Sequence, residues 1–539
     1  MFKAIQCMCL SWLLIANAMA ASSPAVDAGE EVIATIHQMG FPSPPPAPAS
    51  GGEASGPYPL LVLENIMVID GTGAPPQGPM TVVVENNRIS SLHGAGTGSL
   101  HLGAADYGAD ARVIDGSGHY LIPGLIDSHI HYGTPIHIFG GQLTDPDYVG
   151  KLFLASGVTT VRDAGSLMGL GWTLKHKQLS DQGKISAPRI KAYALLPEST
   201  SDAEHAQQWI KRIKARGADG VKLLGASPSV IKATLAETQK QGLGSAYHHA
   251  QVRVKQLNAR DTAQLGLSSI EHWYGLPEAM FTEQTVQNYS PSYSYNNEQD
   301  RFSEAGRLWA QSAEPGSPAW EQLIDDLVAT DVTLVPTFSV YEANRDAMRA
   351  RNLEWHKDYT MPYMLKAFEP NPHVHGSYHY DWSTHNEIDW RENYRLWMAF
   401  VNDFKNAGGR VAAGGDSGFI YSTYGFGLIR EMEMLQEAGF HPLEVLQSAT
   451  YNGAALLGLG EQTGTIEVGK LADMVLLDSN PLENFKVLYP SGHYGLQEAS
   501  GKPGHHSSVV YTIKDGIVYD AEQLRTQVRA MVAAAKEDR

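Results

Sequence analysis

Gly124-Leu-Ile-Asp-Ser-His129-Ile-His131 sets two histidines two residues apart at the end of an apolar run that follows Pro123. On a strand, residues i and i+2 point to the same side, so both imidazoles face one space. Two neutral imidazoles that converge make good zinc chemistry. The pair alone is a weak signal, because most such pairs are ordinary polar positions. Four further segments downstream each close strand-like text with residues of related chemistry: Gly220-Val-Lys222-Leu-Leu, Ala246-Tyr247-His248-His249-Ala, Ser269-Ile-Glu-His272 and Gly414-Gly-Asp416-Ser-Gly418. Lys222 stands out among them. A lysine inside an apolar strand either snorkels to the surface or must avoid burying a bare ammonium.

Around these segments the chain alternates strand and helix. Ser201-x-x-Glu204 reads as a capping box that opens a helix with Ala206, Trp209, Ile210 and Ile213 on one face, and Gly217 ends it. Gly220 to Leu224 is the next strand. The unit recurs near residue 400, where a helix over Phe400 to Lys405 stops at Gly408-Gly409 and Arg410 to Ala413 reads as a strand leading into Asp416. Strand, helix, short loop and strand imply a parallel sheet with crossover helices. Strand-like text at both ends encloses this middle: Leu60 to Val68, Met80 to Val84 and Arg112 to Ile114 before it, Met474 to Leu477 and Val509 to Ile513 after it. That arrangement predicts one small β domain assembled from both termini.

Taken together the five segments resemble the amidohydrolase superfamily, in the style of its prolidase-like and imidazolonepropionase-like branches. Val113-Ile-Asp-Gly-x-Gly leading to Ile122-Pro-Gly-Leu-Ile-Asp127, and Gly464-x-Ile466-x-x-Gly469-Lys-x-Ala-Asp473, are similar to the flanking stretches of that superfamily. The resemblance spans roughly residues 60–520. It implies an α/β fold, a (β/α)8 TIM barrel over 122–461 with a composite β-sandwich from 60–121 and 462–520. It also implies two divalent metal ions, zinc being the expected identity. His129, His131 and Asp416 would hold one ion and His249 and His272 the other, with His248 as the alternative to His249. Lys222 would carry a carbamate formed from CO2 and bridge both ions, which resolves the buried-lysine problem. The activity implied is hydrolysis of an amide C–N bond in a dipeptide, an N-acyl amino acid or a related amide. The ions would lower the pKa of a bridging water, and Asp416 would act as general base and then general acid. Ester, lactone or carbamate hydrolysis on the same centre, a mononuclear deaminase and a non-catalytic binding protein are the alternative readings. His137 and Tyr247 are candidate substrate contacts.

Composition bounds the rest. The net charge is −18 and no basic run is long enough to follow a phosphate backbone, so nucleic acid is excluded as a partner and a small-molecule substrate is expected. A homo-oligomer stays open. Lys3, the apolar run Met8 to Ala16 and Ala18-Met-Ala20 read as a signal peptide over 1–20, hence export to a periplasm or the exterior; no run is long enough to span a bilayer. Both cysteines, Cys7 and Cys9, fall inside it, so neither disulfides nor thiolate ligands are expected after its removal. Residues 21–59 read as a Pro/Gly/Ser-rich linker and 521–539 as a C-terminal helix or tail. Insertions at about 275–320 and 340–395 interrupt the rhythm. The window 275–400 holds 20 of the chain's 48 aromatic residues, which predicts an ordered lid rather than a disordered loop. His373, His375, His379 and His385 read as its polar surface rather than as a second metal cluster.

Overall fold

The computed structural model describes residues 46–94, 107–497 and 501–537. The signal-peptide stretch and most of the linker lie outside them. Eight strands form one parallel sheet in sequence order: β1 (Leu125–Ile130), β2 (Val158–Gly165), β3 (Arg189–Leu195), β4 (Gly220–Leu223), β5 (Gly244–Tyr247), β6 (Ser269–Glu271), β7 (Thr333–Val335) and β8 (Arg410–Val411). The chain beyond β8 returns to β1: Ser128 N donates to Ala413 O (2.9 Å), Asp416 N donates to His129 O (2.7 Å), and Ile130 bridges Ser417 in parallel. These bonds close the sheet into a barrel.

Helix and strand boundaries follow local chemistry. The helix Ala203–Arg216 begins one residue later than the capping-box reading, because Asp202 is the cap and accepts from His205 N (2.9 Å). Ser201 donates to the Asp202 carboxylate instead. Its end is as expected, with Gly217 at φ 100°, a left-handed cap that glycine takes without strain. The helix before β8 runs over Thr384–Asn406, far longer than the sequence pattern shows.

The second domain is a nine-stranded sheet drawn from both ends of the chain, in which Met474–Leu477 pairs Tyr120–Pro123 on one side and Val509–Lys514 on the other. Leu61, Leu63, Val82, Val84, Leu121, Met474, Leu476 and Ile513 share one core. Ala54–Ser55, at the end of the stretch read as linker, pairs with Val518 and Tyr519. Arg189 of β3 holds the sheet domain to the barrel through Asp473 and Asp515, each at 2.6 Å.

Both insertions are ordered. The first carries the helix Glu298–Ala305 and the second a series of short helices ending in Thr384–Asn406. Trp273, Trp390, Trp397, Tyr341 and Phe302 pack between them in a contiguous aromatic layer. No helix among the described residues is long and apolar enough to cross a membrane.

Candidate metal centre

The barrel floor is set by size. Tyr193 of β3 fills the space beside Gly220 and Gly244; a Cβ would lie 2.5 Å from its ring carbon at the first and 1.9 Å from its hydroxyl at the second. Those two glycines therefore face inward. Lys222, two residues beyond Gly220, shares that face, and Ala246 sits beside Lys222 in register. Lys222 is 3% exposed, and its Nζ lies 3.3 Å from His129 Nε2.

Beside the floor lies a buried ion pair that the sequence reading passed over. Arg162 of β2 donates from Nη2 to both oxygens of Glu271 (2.8 Å each), and Glu271 in turn accepts from His129 Nδ1 and from Ser269 Oγ. All four members of this relay are fully buried. With Nδ1 committed, His129 presents Nε2 as a lone pair, the arrangement typical of a metal-ligating histidine braced by a carboxylate. Burial alone would raise the Glu271 carboxyl, but Arg162 and Lys222 hold it below its ordinary range.

His129, His131 and Asp416 converge, with one ligand atom from each lying within 4.8 Å of the others. Asp416 Oδ1 is 3.2 Å from His131 Nε2 and 3.5 Å from His129 Nε2. His272 joins from β6. Its neighbour Glu271 points inward, so strict alternation would send His272 outward, but a left-handed backbone (φ 63°) turns it into the site. Asp416 adopts the same region (φ 46°). Both types tolerate it better than most residues, and such strain gathers at functional sites. Thr337 Oγ1 fixes His272 Nδ1 at 2.6 Å, and the imidazole of His129 is 5.1 Å away, ring centre to ring centre.

Three sequence expectations are corrected. His249 does not face the centre: it is fully buried, stacks on Tyr247 (4.0 Å) and engages Thr262 Oγ1 through Nε2 (2.8 Å). His248 occupies the position instead, half-buried and 4.7 Å from the His272 ring. The cause is alternation on β5, where Ala246 and His248 share the inner face with Lys222 while Tyr247 and His249 share the outer one. Tyr247 is therefore no substrate contact. Nor is His137, whose Nε2 donates to Gly418 O (3.0 Å) while Nδ1 accepts from Thr144 Oγ1 (2.8 Å), so that both ring nitrogens brace the loop after Asp416.

The donors suit a divalent cation. Burial holds His129, His248 and His272 well below the usual histidine range, which keeps the imidazoles neutral and able to donate lone pairs. Burial would raise Asp416, yet His129, His131 and Lys222 bring it far down, so it is a carboxylate. Its buried Oδ1 accepts no hydrogen bond among the described residues, and it faces the His129 lone pair. A cation reconciles two such acceptors. Burial also lowers Lys222 to about 8, against the pull of Glu271 and Asp416.

Comparison with known proteins agrees with this geometry. Residues 397–516 match the amidohydrolase family. Short stretches are similar to N-acetylglucosamine-6-phosphate deacetylase of Caenorhabditis elegans, 51% identical over 47 residues (8% of this chain and 11% of that protein), and to imidazolonepropionase of Thermoplasma acidophilum, 52% identical over 46 residues (8% and 11%). The matched region thus spans about a tenth of the length of each. Over the whole fold the chain is similar to a Xaa-Pro dipeptidase solved with methionine in its active site, at a TM-score of 0.55 and 18% identity over 86% of this chain and 100% of that one. A bottromycin amidohydrolase superposes with a TM-score of 0.58 at 16% identity, over 97% and 96% of the two chains. At such identities the likeness establishes the fold. Residues 397–516 thus match an amidohydrolase-family domain, within a chain folded as a parallel barrel with a sheet domain built from both ends.

Proposed function

We propose that the protein is an exported, binuclear metal-dependent hydrolase that cleaves an amide C–N bond of a small molecule. The observation that carries the proposal is the convergence of His129, His131 and Asp416 with Lys222 Nζ 3.3 Å from His129 Nε2. His129, His131 and Asp416 would hold one ion and His248 and His272 a second, and Lys222, as a carbamate, would supply an anionic oxygen donor to the centre. Its lowered pKa supports this, because only a neutral amine adds to CO2 and about 8 leaves an appreciable neutral fraction near neutrality. Export rests on residues 1–20 alone.

The bound ions supply Lewis acidity and a water of lowered pKa. The remaining work belongs to the chain. Asp416, whose carboxyl is held below its ordinary range, would accept the proton released by the attacking water and deliver it to the leaving nitrogen. The Arg162–Glu271 pair fixes the His129 tautomer, so that Nε2 rather than Nδ1 faces the ions. His137 pins Gly418 and with it the strained turn at Asp416.

The test is metal content by elemental analysis on protein grown with zinc and bicarbonate, followed by hydrolysis of an amide and ester panel. About two ions per chain, falling to one or none in Lys222→Ala with loss of amide turnover, is the expected result. One tightly held ion indifferent to Lys222 would overturn the binuclear reading in favour of a mononuclear site.

A further inference from the structure

The loop that follows Asp416 is strained along most of its length. Asp416 (φ 46°), Ile420 (φ 47°) and Tyr421 (φ 65°) all have positive φ, with Gly418 (φ 115°) among them. For a β-branched residue such as Ile420 this is costly, and such strain persists only where the surroundings enforce it. They do so here. His137 Nε2 holds Gly418 O at 3.0 Å, and the Tyr421 hydroxyl donates to Phe368 O at 3.1 Å. Gly376 of the second insertion lies so close that a Cβ there would sit 3.4 Å from Ile420 and 3.5 Å from Phe419. From Val411 to Ile429 every residue is buried except Phe419.

That ring stands directly at the candidate metal centre. Phe419 meets the His131 ring at 5.1 Å and 88°, and His375 of the second insertion lies 5.8 Å from it on another side. Two more rings stand against the other candidate ligands. Tyr341, after β7, meets His272 at 5.6 Å and 83°, and Tyr274, after β6, meets His248 at 5.2 Å and 52°. The two tyrosines touch each other (6.3 Å) and Tyr341 stacks on Trp390 (5.5 Å), so both are buried in the aromatic layer of the insertions. Rings thus frame the centre on its β6, β7 and β8 sides, and of the three only Phe419 keeps free surface. A lone exposed phenylalanine elsewhere on a protein needs no explanation. One held against a candidate ligand by a strained loop is different, because the backbone keeps the ring beside the centre instead of letting it turn into the core.

We propose that Phe419 sets the width of the group that can lie on the His131 side of the centre: it admits a small or linear group next to the reacting carbon and excludes a branched or ring-shaped one. The proposal rests on the metal-dependent hydrolase reading above and adds a limit on substrate shape. His137 and Gly376 are positioning residues in it, since they stop the loop from retreating. A wall that cannot retreat discriminates by size, and one methylene more or less in a close-fitting pocket changes selectivity roughly 10- to 200-fold.

The test uses the full-length, zinc-loaded protein and two metal chelators of different width, acetohydroxamate and benzohydroxamate, with Kd values from calorimetry. At an open centre the larger apolar probe would bind more tightly. The wild type should instead prefer acetohydroxamate, and Phe419→Ala should shift the ratio of the two constants about tenfold or more toward benzohydroxamate at unchanged zinc content. Phe419→Leu should shift it the same way by less, and it serves if the alanine variant does not fold. A ratio that stays within about threefold of the wild type in both variants overturns the proposal, as does a shift in the other direction. Loss of zinc from both variants, or a zinc-loaded wild type that binds neither probe, also overturns it. Hydrolysis of an amide and ester panel is read separately on the same proteins. The expected shift without any turnover would leave the wall standing and count against the hydrolase reading alone, whereas turnover with an unshifted ratio would do the reverse. A wild type that takes up no zinc overturns both.

Discussion

Exchanging the roles of two adjacent histidines is the sharpest check on the site. His249→Ala removes a fully buried ring, its stack on Tyr247 and its bond to Thr262, but no atom of the metal centre. Thr262 keeps two other acceptors, Asn258 O and Ala259 O, so it is not left unsatisfied. The loss is then about 1 kcal/mol for the hydrogen bond, about 1 for the stack and about 1 for the cavity, roughly 3 kcal/mol in all. For a chain this long that is a fall in Tm of roughly 3–6 °C. Metal content should stay at the wild-type value. His248→Ala does the reverse. It vacates a half-buried position, so Tm of the metal-free protein should fall by less than in His249→Ala, but one ion would lose a ligand. Removing outer partners of metal ligands already costs about ten- to a hundredfold in affinity, and loss of a direct ligand should cost at least the upper figure. The assay is elemental analysis after dialysis against dilute zinc, with Tm by differential scanning on the same samples. If His249→Ala loses an ion while His248→Ala keeps both, the assignment of inner and outer faces on β5 is wrong.

Arg162→Met strands a fully buried Glu271 carboxylate and should cost about 3–5 kcal/mol by urea denaturation, with much of it recovered in the Arg162→Met/Glu271→Gln double variant; additive losses would speak against a coupled pair. Lys514 is buried against Ser180 O (2.8 Å) and Ala187 O (3.2 Å), and burial lowers it from 10.5 to about 8. The unfolded chain then binds the extra proton between pH 8 and about 10.5, so stability should rise with pH across that window by up to about 3 kcal/mol. The rise should be absent from Lys514→Met, and equal slopes in the two proteins would refute this. His137→Ala releases Gly418 and should lower kcat roughly ten- to a hundredfold at unchanged metal content, so a variant with full turnover would remove the bracing role.

The order of the candidate ligands was legible because each position closes or closely follows strand-like text, and a strand end in a parallel barrel aims its side chains at one mouth. His129, His131, Lys222, His272 and Asp416 could be read that way, and the structure gathers all five. The choice between His248 and His249 could not. It depends on which residue of β5 faces inward, and that is settled by Tyr193, a residue 51 positions upstream of Gly244, filling the space beside it. Alternation would also have put His272 outside, and only the left-handed turn after Glu271 brings it in. Arg162 and Glu271 left the faintest trace: a charged residue in a strand reads the same whether it snorkels or meets its partner across the barrel. The fold was readable for a different reason, since glycine stops such as Gly217 and the recurrence of strand and helix are local signals.

The two insertions divide the labour of the site differently from the strands. Every candidate metal ligand is on a barrel strand or directly after one, except Asp416, which lies five residues beyond β8 and is held by its backbone bond to His129 O. Arg301, His375 and Phe302 come from segments that contribute no candidate ligand and pack on one another. Loops carry selectivity when a rigid scaffold carries chemistry. Substitutions in the insertions should therefore act on KM and on the choice of substrate, whereas those on the strands should act on metal content and kcat.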